Sequence, residues 1–248
     1  MERAEAIRRE KEDCFVRALE LLYLSSIKVE SVLDFGCGPG LTVDLLREKL
    51  DLNAVGVDIS ADFAESAHLH KCDLADLTAK YPPGYFDAIY SVEVFEHLVD
   101  PLKVLSQLHG LLKPGGKILI NTSTQECIVK YDPEMSYIDP VRRMHISIYS
   151  LKSFSELAST FGYTASFLGD RKYVVVLSPS NSGASFPVPE NLDRVRRLGD
   201  WFPMLLTEYM RLIFVEEEFD KKCRLVDSLS PKGRLPRLLR LVQRRFQK

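Results

Sequence analysis

The stretch Val32-Leu33-Asp34-Phe35-Gly36-Cys37-Gly38-Pro39-Gly40 constrains this chain more than any other. An apolar run of strand length carries an acid near its end and passes into three glycines at alternate positions. Glycine reaches positive φ and has no Cβ, so a turn of this kind lets backbone approach a ligand closely. The spacing is G-x-G-x-G. A dinucleotide fingerprint reads G-x-G-x-x-G and would need its third glycine where Leu41 stands, which argues against a nicotinamide oxidoreductase.

Downstream, strands and helices alternate. Residues 31–35 read as a strand, Leu41–Leu50 as a helix and Ala54–Asp58 as a second strand that again ends in an acid. Ser60 is placed to cap a short helix over 61–66, and a brief third strand near His68–Lys71 leads to Cys72-Asp73. Tyr81-Pro82-Pro83-Gly84 forms a turn before the strand Phe86–Val92, and a helix over about 101–112 is expected to stop at Lys113-Pro114-Gly115-Gly116, ahead of a strand over Lys117–Asn121. A loop over 124–145, a helix over Ser150–Phe161 and strands over Tyr163–Leu168 and Tyr173–Ser178 follow. The last two strands are joined by four residues, so they form an antiparallel hairpin. Residues 2–25 read as an amphipathic helix with Phe15, Leu19 and Leu22 on its apolar face. Strands alternating with helices imply an α/β, doubly wound parallel sheet with ligands at the carboxyl ends of its strands, where Asp34, Asp58 and Asp73 all fall.

These ordered motifs resemble those of class I S-adenosylmethionine (SAM)-dependent methyltransferases over roughly residues 30–178. The resemblance implies a seven-stranded Rossmann-like sheet ordered 3-2-1-4-5-7-6. It further implies that Gly36, Cys37, Gly38 and Gly40 pass under the methionine and ribose parts of SAM, with Asp34 orienting the turn or meeting the ammonium group. Asp58 would accept from the ribose hydroxyls, with Ile59 beside it. Asp73 would accept from the adenine amino group between Cys72 and Leu74, and Ser91 and Glu93 would end the fourth strand where donor and acceptor meet. Phe86-Asp87 and Leu111–Gly116 match motifs that are largely structural.

The acceptor side rests on Glu93-Val94-Phe95-Glu96-His97 and a later His145. Glu93, Glu96 and His97 stand three and four positions apart and would share one helical face. This E-x-x-E-H pattern with a downstream histidine resembles that of quinone-biosynthesis O-methyltransferases. It is similar also to small-RNA 3′-end 2′-O-methyltransferases, in which these positions hold a divalent metal. The resemblance makes Glu93, Glu96, His97 and His145 candidate metal ligands, and His145, Glu96 and His97 candidate catalytic groups. Without metal, His145 is the candidate general base, since imidazole titrates near neutrality. A base is needed when the acceptor is a hydroxyl, so O-methylation of a small-molecule, lipid-linked or sugar acceptor is expected. Tyr131, Tyr137, Met144, Ile148 and Tyr149 make the 124–149 segment suited to cover an acceptor.

The 33 Lys+Arg and 35 Asp+Glu give a net charge of −2, so whole-chain electrostatic capture of nucleic acid is not signalled. Five scattered cysteines without a C-x-x-C pair, a charged N-terminus and no apolar run near the ~18 residues of a membrane span lead to the expectation of a cytoplasmic protein. The expected organisation is a SAM-binding domain over 1–178 and a helical extension over 186–248. Trp201, Leu205, Leu206, Tyr209, Leu212, Ile213 and Phe219 in the extension suit burial or a dimer interface, so monomer and homodimer both stay open. Residues 231–248 carry seven basic residues and no acid, with Leu235, Leu238, Leu239, Val242 and Phe246 at helical spacing. Such a tail suits peripheral contact with an anionic membrane. A non-catalytic SAM-binding scaffold is the alternative from another class.

Overall fold

The computed structural model describes residues 14, 17, 18, 21, 22, 25–59, 65–131, 136–138, 144–168, 174–181, 191 and 194. Among these, seven strands form one sheet: β1 (Ser31–Phe35), β2 (Asn53–Val57), β3 (Leu69–His70), β4 (Phe86–Val92), β5 (Leu112–Asn121), β6 (Tyr163–Leu168) and β7 (Val174–Pro179). Their order is β3-β2-β1-β4-β5-β7-β6, with β7 antiparallel between β5 and β6 and every other pair parallel. This is the doubly wound sheet with a terminal hairpin that the sequence leads one to expect. The helices are α1 (Leu41–Leu50), α2 (Leu74–Lys80), α3 (Pro101–Leu111), α4 (Gln125–Tyr131) and α5 (Leu151–Ser159).

Both faces of the sheet are buried. One carries Leu33, Val55, Val57, Ile89, Ile118, Ile120, Val175 and Leu177, which pack with Leu74 and Leu77 of α2, Leu105, Leu108 and Leu111 of α3, and Phe154, Leu157 and Ala158 of α5. Residues of the other parity, Val32, Ala54, Ala88, Leu119 and Val176, are equally buried. That second face also holds Asp34 and Lys117, which turn toward the segment preceding β1: the Arg17 guanidinium acts on Asp34, and Lys117 Nζ donates to Ser26 Oγ. The described part of the N-terminal helix buries Cys14, Ala18, Leu21 and Leu22, whereas Phe15 and Leu19 lie outside the described residues.

Local details differ from the expectation. Between Asp73 and the Tyr81 turn, a stretch given no element above, the chain forms α2; Asp73 caps it, its Oδ1 accepting from Asp76 N at 2.9 Å. Lys113–Gly116 does not interrupt between helix and strand, because β5 already starts at Leu112 opposite Phe86. The four residues form a bulge before Lys117 pairs with Ala88. The 124–145 stretch is not all loop, since it contains α4 and a 3₁₀ turn over Ser136–Ile138. For the helix over 61–66, residues 60–64 lie outside the described set and Glu65 and Ser66 are not helical.

Beyond the sheet, Asn191 is helical and buried. Its Nδ2 donates to the Leu22 and Ile27 carbonyls at 2.9 and 2.7 Å, and its Oδ1 accepts from Val29 N at 3.1 Å, so the extension grips the turn that enters β1. Residues 195–248, with the apolar run from Trp201 and the basic tail, lie outside the described residues. Among the described residues no helix is long and apolar enough to cross a membrane.

Candidate active site

The glycine turn is tied to the end of β2. Gly36 N and Cys37 N both donate to the Val57 carbonyl, at 2.8 and 3.1 Å. Gly36 and Gly40 each hold φ +81°, and a Cβ on Gly36 would lie 2.1 Å from Val94 Cγ2, so the turn has room for glycine alone at this position. Gly38 N donates to Asp58 Oδ2 at 3.0 Å, which aims the carboxylate that follows β2 across the turn.

Beside this turn opens a cavity of about 710 Å³. Gly36, Asp58, Ile59, Cys72, Asp73, Leu74 and Glu93 line it, and the Lys103 and Gln107 side of α3 closes it opposite. Ile59 and Val99 are 74% and 90% exposed although apolar, so they present a wall that a planar ring would cover. Carboxylates between apolar walls fit a nucleoside with a vicinal diol and an exocyclic amine, and the positive charge of a sulfonium.

Five expected cofactor residues are not on the cavity lining: Gly38 and Gly40 belong to the adjoining turn, and Asp34, Cys37 and Ser91 are buried away from it. Asp34 is 5% exposed and faces the second side of the sheet, outside the cavity wall. Burial pushes its pKa up to about 7, against the pull of Arg17 and with the Asp58 charge adding to the rise. Cys37 is buried against Gly56, and burial lifts its thiol to about 12, so it is an inert packing group. Ser91 is buried in the sheet opposite Ile120, its Oγ without a hydrogen-bond partner among the described residues, and Val92 takes its place on the cavity.

Asp87 and Lys113 are structural, as expected. Asp87 Oδ2 accepts from Glu30 N, Ser31 N and Ser31 Oγ, while Lys113 Nζ donates to Asp87 Oδ1 at 2.9 Å, locking the start of β1 to β4 and to the bulge of β5. These bonds outweigh burial and hold the carboxyl below its usual range.

Past β4 the expected shared helical face is not formed. Glu93 takes φ +53° and bends the chain, and only Phe95–His97 make a 3₁₀ turn. Glu93 therefore goes to the cavity, whereas Glu96 turns inward and is 1% exposed. The segment carrying His145 docks on that turn through backbone: Ile146 N and Ser147 N donate to the Glu96 carbonyl at 2.9 and 3.0 Å. This brings Glu96, His97 and His145 together, with one potential ligand atom from each within 4.8 Å of the others; Glu93 is not in the cluster.

The members of the cluster are not equivalent. His97 is exposed and lines the cavity, and its ring meets that of His145 edge-on at 4.8 Å. The His145 side chain is 4% exposed, with Nε2 3.8 Å from Glu96 Oε1, so it lies behind His97 rather than at the mouth. Both Nδ1 atoms face backbone carbonyls, His97 that of Met144 at 3.2 Å and His145 that of Tyr137 at 2.6 Å. A carbonyl only accepts, so each Nδ1 carries the hydrogen and each neutral ring keeps its lone pair on Nε2. Thr122, which the sequence did not single out, donates to Glu96 Oε2 at 2.8 Å. Its position just past β5 was the available signal, since the reactive ends of all the parallel strands gather there.

Residues 5–166 match the family model described as a methyltransferase domain. The chain belongs to the class I SAM-dependent methyltransferases. Among curated relatives, phosphoethanolamine N-methyltransferase 3 of Arabidopsis thaliana is 29% identical over 151 residues, 57% of this chain and 30% of that protein. The ubiquinone biosynthesis O-methyltransferase of Pseudomonas aeruginosa is 31% identical over 103 residues, 38% of this chain and 44% of that protein. The chain thus matches less than half the length of these relatives. Its fold is shared by a SAM-dependent methyltransferase of Thermotoga maritima (TM-score 0.53, 19% identity, 73% of this chain and 94% of that one). It is shared also by the plantazolicin methyltransferase crystallised with S-adenosylhomocysteine (TM-score 0.53, 17% identity, 80% of each chain).

Proposed function

We propose that this methyltransferase transfers the methyl group of SAM to a hydroxyl of a small-molecule acceptor. The observation that carries the reading is the continuity of the two halves of the site: His97 belongs both to the wall of the nucleoside-sized cavity and to the buried Glu96–His145 cluster. SAM supplies an electrophilic methyl carbon on a sulfonium, so the chain's own task is alignment and removal of the acceptor proton. Asp58 would hold the ribose, Asp73 the adenine amino group through the oxygen not used in capping α2, and Glu93 would face the positive charge.

His97, on the cavity wall with its Nε2 lone pair, takes the proton as the acceptor oxygen attacks the methyl carbon and the C–S electron pair returns to sulfur. His145 and Glu96 behind it stabilise the imidazolium that forms. The same three residues also fit a divalent cation: two imidazoles whose Nδ1–H groups are tied to carbonyls and a hydrogen-bonded carboxylate are the partners a metal site requires. Held there, a cation would lower the pKa of the acceptor hydroxyl. The O-methyltransferase among the relatives supports a hydroxyl acceptor, and the phosphoethanolamine enzymes support the amine as the alternative.

The test is incubation with methyl-labelled SAM and a panel of catechol, phenols, sugar alcohols and phosphoethanolamine, with and without chelator. Transfer to a hydroxyl that falls by about 10²–10⁴ in both His97→Ala and His145→Ala, at unchanged SAM affinity, is expected. Transfer to phosphoethanolamine alone, or full activity in both variants, would overturn the reading. Activity indifferent to chelator removes the cation from it.

A further inference from the structure

A buried carboxylate is costly unless its oxygens are hydrogen-bonded, and Glu96 has a specific pair of donors. Tyr137 OH donates to Oε1 at 2.7 Å and Thr122 Oγ1 to Oε2 at 2.8 Å. Each hydroxyl has one hydrogen, so both are committed to Glu96 even though the two oxygens lie only 3.1 Å apart. Ser123 N, at 3.3 Å, supplies the hydrogen that the Tyr137 oxygen accepts, which fixes the direction of this small network from sheet end to tyrosine to carboxylate.

Tyr137 reaches the other member of the pair as well. Its carbonyl takes the Nδ1 hydrogen of His145, and its ring lies against the His145 ring with centroids 4.2 Å apart. One residue therefore touches the Glu96–His145 pair with its hydroxyl, its ring and its backbone. Tyr137 is absent from the cavity wall and belongs to the 3₁₀ turn Ser136–Ile138, 41 residues from Glu96 and eight from His145 in sequence.

We propose that Tyr137 is the positioning residue of the Glu96–His145 pair. Its hydroxyl pins the 3₁₀ turn to the end of β5 and orients the carboxylate, and the pinned turn presents the carbonyl that fixes the His145 tautomer. The consequence for turnover rests on the role given to that pair above, whereas the geometry can be tested without any acceptor.

The experiment uses the full chain with ring-¹⁵N-labelled histidine, its His145 tautomer read from long-range ¹H–¹⁵N spectra at pH 8, and SAM affinity from calorimetry. Tyr137→Phe keeps the ring and the carbonyl and removes only the hydroxyl; Thr122→Ser keeps the second donor. Expected are a single Nδ1–H tautomer in the native chain and in Thr122→Ser, a mixture of tautomers in Tyr137→Phe, and SAM affinities within about twofold throughout. With the acceptor probe catechol, Tyr137→Phe should lower kcat by about 10–100-fold at unchanged KM for SAM, the usual effect of removing a partner that orients a functional group. A native His145 protonated on Nε2, or an unaltered tautomer in Tyr137→Phe, overturns the proposal, and the first of these needs no variant to fold. If the tautomer scrambles in Tyr137→Phe while His145→Ala retains full turnover, the positioning stands and the chemistry assigned to the pair falls.

Discussion

Asp34→Asn should make this protein more stable at neutral and alkaline pH, with a dependence that identifies the cause. Asp34 sits in the second face of the sheet, 5% exposed, and burial raises its pKa from 3.8 to about 7. Unfolding restores the ordinary value, so between about pH 4 and pH 7 the folded state holds a proton that the unfolded chain has released. Stability linked to this group is then fully present below about pH 4 and is lost as pH rises through 7. The interval is about three pH units at about 1.4 kcal/mol each, which gives about 4 kcal/mol in order of magnitude. Asparagine has the same shape and no charge to desolvate, so its advantage should be near zero at pH 4, grow with pH and level off above 7. Urea melts of both proteins at half-unit steps from pH 4 to pH 8 measure this as a difference, in which other titrating groups cancel. A difference independent of pH would refute the reasoning, because it would mean that Asp34 is as well solvated or compensated as an unfolded aspartate.

Asp58→Ala should weaken S-adenosylhomocysteine binding by about 1.5–3 kcal/mol in calorimetry, the usual worth of hydrogen bonds to a charged group, and unchanged affinity in the folded variant would remove Asp58 from the ribose. Gly36→Ala forces a Cβ to 2.1 Å from Val94 Cγ2 at φ +81°, so a loss of at least about 2 kcal/mol in denaturant melts is expected. Val94→Ala in the same chain should recover part of that loss, since it relieves the contact and leaves the backbone strain; no recovery would place the cost elsewhere.

The order of the sheet was legible because its determinants are local. The apolar runs of β1, β2, β4 and β5, the glycine turn and the short link before the last strand each act within a few residues, and right-handed crossovers do the rest. What was not legible is short or ambiguous. Helix α2 has seven residues and only Leu74 and Leu77 buried, too few for a periodic signal, and its capping residue Asp73 had already been read as a ligand. Pro114, Gly115 and Gly116 suggest a stop, yet a parallel strand accommodates them as a bulge because Leu112 is already paired with Phe86.

The three acids expected at the cofactor show how far position along a strand determines a role. Asp34, Asp58 and Asp73 all lie at or near strand ends, but Asp34 is inside β1 and fixed on one face of the sheet, whereas Asp58 and Asp73 follow the last residues of β2 and β3, where the chain has left the sheet. The neighbours of Asp34, Val32, Leu33 and Phe35, are apolar on both sides, and a strand buried on both faces gives no alternation from which to tell which side an acid takes. For the Glu96–His97–His145 cluster the limit is of another kind. Three- and four-residue spacing suggested that Glu93 and Glu96 act together, and one residue at φ +53° sends them to different places. What joins Glu96 to His145 is the Glu96 carbonyl taking two backbone N–H groups from residues 146 and 147, a contact that no side-chain pattern encodes. Tyr137 was legible as an aromatic in a covering segment; that it grips both members of the pair depends on the same docking. The chemistry of this site is written in residue types, while its assembly depends on where an irregular segment lays its backbone against the turn after β4.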